Sequence, residues 1–133
     1  MFPIYVSICG WRSEVHAARG EFEAALVAAA EAQRAAGVIR HPTSLTLADA
    51  FMGYCQLLKG DIAAAVPILE RGHAVALEHV SPHGSVVNSL YLAYALMLMN
   101  RREAGLESLT RALQHHIAFM AQWTRYGTIS ASA

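Results

Sequence analysis

Histidine and acidic side chains are the residues of this chain that could bind a metal ion. Among the seven histidines, His73 lies three residues after Glu70, the Glu-x-x-His spacing that di-iron helical bundles use. Such a centre needs two of these pairs and further carboxylates, and the sequence contains no second pair. His79 and His83 are four residues apart, but Pro82 interrupts the helix that would place them on one face. The spacing therefore predicts no metal site.

The remaining candidates for chemistry are two adjacent histidines and two cysteines. His115 and His116 point to different sides of a helix, so we expect them to be solvated or to cap a helix end. Cys9 and Cys55 form no Cys-x-x-Cys pair, which is typical of small buried side chains rather than of a redox centre. The sequence has no glycine-rich phosphate loop and no Gly-x-Ser-x-Gly elbow. We therefore expect a protein that is not an enzyme and that uses no cofactor.

Charge and hydropathy exclude two classes of partner. Ten Lys and Arg residues balance ten Asp and Glu residues and are scattered, so neither a nucleic acid nor a membrane surface is an expected partner. The longest apolar run, residues 90–99, is about half the roughly 20 residues that span a bilayer. The apolar N-terminus lacks the basic segment of a secretory signal. These features predict a cytoplasmic protein, although an apolar fraction of 55% is high beside a charged fraction of 15%.

The elements that must position these side chains follow from an internal repeat. Three segments align without a gap at a spacing of 40 residues, namely residues 20–26, 60–66 and 100–106. The same offset superimposes one aromatic residue per unit, Trp11, Phe51 and Tyr91. In a chain with 8% aromatic residues, this coincidence indicates a true repeat.

Each unit is predicted to contain two helices joined by a tight turn. Gly20, Gly60 and Asn100 are residue types that tolerate the left-handed backbone at a helix C-terminus. After each turn, small and apolar residues recur at spacings of three and four, which is typical of an amphipathic helix. Pro42 and Pro82 separate the units. The pattern predicts an all-α protein of one domain, residues 1–133, with units at about residues 5–40, 44–80 and 84–120.

These units resemble the tetratricopeptide repeat. The resemblance rests on the small residue within the first helix, Gly53 or Ala93, on the Gly or Asn at the turn, and on the small residues of the second helix. The 40-residue period is similar to that of longer variants found after the ATPase module of multidomain bacterial adenylate cyclases and transcriptional regulators. The chain departs from the pattern at Ser13 and Arg102. The resemblance implies a right-handed α-solenoid of about three helix-turn-helix repeats with a C-terminal helix extension, and a regulatory or signalling role.

The resemblance also implies where a protein or peptide would bind. In this family the first helices form the wall of a groove, and a first helix that is apolar nearly all round supports the same surface. The residues expected to face the groove are Leu47, Ala50, Tyr54, Leu57, Leu58, Val87, Leu90, Tyr94, Met97 and Leu98. The groove would take an extended peptide or an amphipathic helix. The alternative for these side chains is ordinary core packing.

The C-terminal segment predicts a second contact. Apolar residues there have no further unit to pack on: Ile117, Phe119, Met120 and Trp123. Because a large apolar patch seldom stays open on a soluble monomer, we expect self-association, most simply as a two-fold homodimer. The leading hypothesis is therefore a non-catalytic scaffold for protein–protein interaction. The alternative is a helical regulatory domain that senses a small molecule in an apolar pocket between helix pairs.

Overall fold

The fold consists of six α-helices. The computed structural model describes residues 4–79 and 81–131. It also describes their side chains, except those at positions 82, 83, 123 and 126–131. The helices are α1 (Ile4–Ala18), α2 (Phe22–Ile39), α3 (Pro42–Lys59), α4 (Ile62–Glu78), α5 (Pro82–Leu98) and α6 (Arg102–Ala131). No strand occurs among the described residues. The prediction of an all-α protein is confirmed.

The turns within the pairs α1–α2, α3–α4 and α5–α6 share one backbone geometry. Gly20, Gly60 and Asn100 have φ angles of 77°, 92° and 59°, so the predicted left-handed conformation is confirmed at all three positions. In each turn, the next residue donates its backbone N–H over 2.9 Å to the carbonyl oxygen five residues earlier, which caps the preceding helix. These donors are Glu21, Asp61 and Arg101.

The contacts between helices arrange them in two layers. The two helices of each pair pack together, and the first helices pack side by side, α1 on α3 and α3 on α5. The second helix of a pair also packs on the first helix of the next pair, α2 on α3 and α4 on α5. Within the described residues, the backbones of α2, α4 and α6 do not approach one another, and α1 does not approach α5. Each pair therefore contacts only the neighbouring pairs along the chain.

Small residues allow the helices to approach closely. Gly53 of α3 lies directly against Leu69 of α4, where a Cβ atom would overlap the leucine side chain. Leu69 is fully buried. Alanine fills most of the core contacts that α2 makes with α1 and α3, through the fully buried Ala25, Ala29, Ala32 and Ala36. Helix α2 therefore contributes mainly small side chains to the core, whereas the cluster around Leu69 contains the larger side chains of Leu57, Leu92 and Leu96.

Helix α6 is longer than the other second helices. It has 30 residues, whereas α2 has 18 and α4 has 17. The residues predicted as a C-terminal extension continue this helix without a break.

Candidate functional site

The structure divides the residues predicted to line the groove between core and surface. Leu47 and Leu57 are only 7% and 5% exposed, and Ala50 is also buried, because α3 lies between α1 and α5. These three residues belong to the core in this structure rather than to an open groove. Tyr54 and Val87 are half-buried.

An aromatic contact closes the middle of the first-helix layer. The rings of Tyr54 on α3 and Tyr91 on α5 have centroids 5.0 Å apart and planes tilted by 30°. Burial, reinforced by the nearby charge of Glu14, raises the pKa of Tyr91 to about 12. Tyr54 therefore packs against the neighbouring helix and presents only part of its surface to solvent.

Exposed apolar residues gather on α5. Four of the predicted groove residues share one face of this helix, at spacings of four, three and one, and all of them are exposed. They are Leu90, Tyr94, Met97 and Leu98, called here the α5 patch. Leu58, also predicted, is exposed near the end of α3. The α5 patch is the part of the predicted groove that the structure leaves most accessible.

Sequence reasoning missed a second exposed apolar face, on α1. Its residues follow spacings of four, three and four along one side of the helix, and all are exposed: Ile4, Ile8, Trp11 and Val15, called here the α1 face. The repeat alignment of Trp11 with Phe51 and Tyr91 was the signal that could have found it. Phe51 is covered by the helix pair before it, whereas Trp11 has no such pair over it among the described residues.

The residues predicted for self-association lie on α6. Ile117 and Met120 are exposed, and Phe119 is half-buried. The side chain of Trp123 lies outside the described residues. Phe119 helps to line a cavity of about 250 Å³ where α6 passes the end of α4 and the start of α5, with Leu77 and His115 among the other lining residues.

A nearly buried carboxylate joins three helices. Asp49 of α3 is 7% exposed and accepts hydrogen bonds from Arg71 of α4, over 3.0 Å from Nε and 2.6 Å from Nη2. Gln33 of α2 donates from Nε2 to the same carboxylate over 2.9 Å. Hydrogen bonding to Asp49 raises the pKa of Arg71. The Arg71 guanidinium therefore links α4 to α2 through this carboxylate.

His73 and Ser89, which follow Gln33 and Asp49 by 40 residues, belong to a cluster of histidine and serine. Ser89 Oγ lies 2.9 Å from Nδ1 of His73. The ring of His115 on α6 stacks on His73 with centroids 6.3 Å apart, and its Nδ1 lies 3.1 Å from Ser85 Oγ. His115 is half-buried and caps no helix end; its partners are Ser85 of its own helix pair and His73 of the preceding pair, so the expectation of a solvated or capping histidine holds only for its exposed part.

A serine beside a histidine is the starting arrangement of a nucleophilic site. Here Ser85 and Ser89 are only 2% and 1% exposed, so their hydroxyl groups offer almost no surface to a substrate. Their contacts join α4, α5 and α6 instead. Among the described residues, no group of three or more His, Cys, Asp or Glu side chains is placed to hold a metal ion.

Stability should decrease as the pH falls below about 6.5, and His73 should account for part of the decrease. Burial lowers the pKa of His73 below 6.5, and the charges of His115 and Arg111 lower it further. A hydrogen bond with Ser85 acts in the opposite direction. As the pH falls through the unfolded value, the unfolded state binds a proton that the folded state does not, so the free energy of unfolding decreases. Urea denaturation across this range should show a shallower pH dependence for His73→Gln. Identical slopes for the two proteins would contradict the assignment.

No helix in the described part of the chain combines the length and the apolar character needed to cross a bilayer. Comparisons with protein families, with curated proteins and with solved structures found no match. Evidence on function therefore comes from the exposed apolar faces of α1 and α5 and from the packing of the helix pairs.

Proposed function

We propose that this chain is a non-catalytic scaffold for protein–protein interaction, built as a right-handed α-solenoid of tetratricopeptide-like repeats. Two observations support the repeat architecture. Each helix pair packs only on its neighbours, and the same turn geometry recurs every 40 residues. Stacked helix pairs of this kind offer extended surfaces to their partners. A regulatory role in the cytoplasm is part of this proposal.

The observation that carries the binding role is the α5 patch. Its four side chains form a continuous exposed apolar strip on one helix, and Tyr94 is 54% exposed. An exposed apolar surface of this kind is typical of an interaction site. A partner helix with apolar residues at spacings of three and four would match the strip, since those spacings place its side chains on one face.

A small-molecule sensor is the second hypothesis. The cavity beside Phe119 has a volume of about 250 Å³, whereas pockets for drug-sized ligands usually enclose about 300–1,000 Å³. The cavity is therefore smaller than the usual pocket for a ligand of that size.

Replacing Tyr94 or Leu98 by serine should weaken the binding of an amphipathic helical peptide at least tenfold. Both side chains lie on the open side of α5, and a buried aromatic anchor often contributes about 2 kcal/mol or more to an interface. Peptides would be selected by display against the wild-type protein, and Kd would be measured by fluorescence anisotropy.

The matched control is Val27→Ser, which removes an exposed apolar side chain from α2, a helix that contributes no residue to the α5 patch or the α1 face. It should bind the selected peptides as the wild type does. If display selects no peptide, or if the Tyr94 and Leu98 variants bind as tightly as the control, the scaffold is not using the α5 patch and the proposal fails.

A further inference from the structure

The contact between consecutive helix pairs occurs twice in this chain, and an equivalent aromatic residue takes part both times. In the first instance, Phe51 of α3 packs on Gly10 of α1, where a Cβ atom would overlap the phenylalanine ring. In the second, Tyr91 of α5 packs on Tyr54 of α3. Phe51 and Tyr91 are one repeat apart, so each is the aromatic residue by which a first helix receives the pair before it.

The α1 face corresponds to the side of a first helix on which the preceding pair packs. Among the described residues, no pair packs on it. Its four residues are between 51% and 66% exposed. The equivalent residues of α3 are at most 9% exposed, because α1 and α2 cover them. These equivalents, one repeat after the α1 face, are Ser44, Ala48, Phe51 and Cys55.

The opposite side of this contact consists of the residues that pack on the following pair. On α5, in the last pair, these residues are exposed. Leu90 and Met97 of α5 are exposed. Their counterparts on α3 are Ala50 and Leu57, which are buried, and Leu57 packs in one core cluster with residues of α5. Leu90 and Met97 therefore occupy positions that are covered wherever a further pair follows.

A residue of α6 belongs to the same side of the contact. Two equivalent second-helix residues each reach the first helix of the following pair: Gln33 bonds to Asp49 over 2.9 Å, and His73 lies 2.9 Å from Ser89. Leu113 is the next residue in this series, and its apolar side chain is 60% exposed. Leu90, Met97 and Leu113 are called here the C-terminal face.

We propose that copies of this chain associate end to end, with the C-terminal face of one copy packed on the α1 face of the next. The inference rests on the proposed function as an interaction scaffold and names its partner as a second copy. The partner is a second copy because the two unpartnered faces are the two halves of a contact that the chain already makes twice. A formal net charge of zero gives no overall repulsion between copies.

The geometry of this contact determines the kind of assembly. A contact between two different faces leaves one free face at each end of a dimer, so it adds further copies until a ring closes or a filament grows. This assembly differs from the two-fold homodimer expected from the C-terminal residues, in which both copies would use the same face.

Two single variants test the proposal by blocking one face each. Trp11→Lys places a charge in the α1 face, and Leu113→Lys places one in the C-terminal face; the two side chains are 61% and 60% exposed, so the fold should tolerate both. In sedimentation velocity, the wild type should form species larger than a dimer as its concentration rises through the micromolar range. Each variant alone should associate at least tenfold more weakly.

Mixing the two variants should restore association and stop it at a 1:1 dimer, because one intact α1 face then meets one intact C-terminal face. A monomeric wild type, or a mixture that stays monomeric, would overturn the proposal. A dimer that Trp11→Lys loses and Leu113→Lys keeps would overturn it in favour of a two-fold contact between α1 faces.

The controls separate this contact from loss of folding and from the scaffold function. Val27→Lys adds the same charge on α2, a helix that contributes no residue to either face, and should associate as the wild type does. If circular dichroism shows that a first variant has lost helix content, Ile8→Lys or Leu90→Lys blocks the same face in its place. The peptide-binding test at Tyr94 and Leu98 uses the Leu113→Lys variant, in which the C-terminal face is blocked. Its outcome therefore does not depend on whether copies associate end to end.

Discussion

Replacing Arg71 by methionine should lower the free energy of unfolding by about 2–3 kcal/mol. The carboxylate of Asp49 is almost fully buried and receives two of its three hydrogen bonds from the guanidinium of Arg71. Removing one partner of a buried pair commonly costs about 3–5 kcal/mol, because a charge stays behind without compensation. The expected loss is smaller here since the Arg71 side chain is 61% exposed and water can reach the vacated position. Urea denaturation monitored by circular dichroism measures the loss.

The chain contains a matched control for this substitution one repeat later. Arg111 is also on a second helix and pairs with Glu107 over 2.6 Å, but both side chains are exposed. Exposed pairs at this helical spacing contribute about 0.3–0.5 kcal/mol, so Arg111→Met should change stability little. In a double-mutant cycle, Asp49→Asn should make the Arg71 substitution less costly, because no charge is then left unpaired. Equal losses for Arg71→Met and Arg111→Met would show that Asp49 does not depend on its partner.

Replacing Gly53 by alanine should lower the free energy of unfolding by about 2 kcal/mol. In an exposed helix this change is favourable by about 1 kcal/mol, since alanine is the better helix former. At position 53 the added Cβ atom overlaps the side chain of Leu69, which is fully buried among other core residues. Overpacking of a core typically costs about 1–3 kcal/mol and exceeds the gain in helix propensity. Thermal and urea denaturation should agree on the sign.

Two further variants identify the overlap as the cause. Gly37→Ala on α2 makes the same chemical change with nothing within 4 Å of the new atom, so it should raise stability by about 0.5 kcal/mol. Leu69→Ala alone should cost about 2–5 kcal/mol because it opens a cavity. Combined with Gly53→Ala, it should cost less than the sum of the two single changes. Strict additivity would mean that the two side chains do not meet.

The helix pairs could be predicted because short segments of sequence encode them. Gly20, Gly60 and Asn100 have the residue types that a left-handed turn needs, and the structure gives each of them a positive φ angle. The predicted helix starts were less accurate. The second and third units were expected to begin at about residues 44 and 84, whereas α3 and α5 begin at Pro42 and Pro82, since proline fits the first turn of a helix.

The groove could be predicted only in part, because burial on a first helix depends on both of its neighbours. Leu57 and Met97 occupy the same position in successive units, yet Leu57 is 5% exposed and Met97 is 38% exposed. The difference arises because α5 covers Leu57 on α3. Among the described residues, no further first helix covers Met97 on α5. The pattern of apolar residues within one helix contains no information about that neighbour.

The polar contacts between helices escaped prediction for a related reason. Asp49 is a single carboxylate within the mostly apolar residues 45–55, and that isolation was the available signal that it needs a partner. Its partners lie 16 positions before it and 22 positions after it, on two different helices. Helical periodicity reports which residues share a face, and it does not report which faces meet.

The restriction of contacts to neighbouring pairs also bears on how the chain folds. In the part of the chain that the structure describes, α1 does not approach α5, and α2, α4 and α6 do not approach one another, so few of the contacts between helices close a long loop of chain. Loop closure is the entropic cost that slows the folding of proteins rich in distant contacts. Any one helix pair can therefore serve as a nucleus, and the remaining pairs add to either side of it.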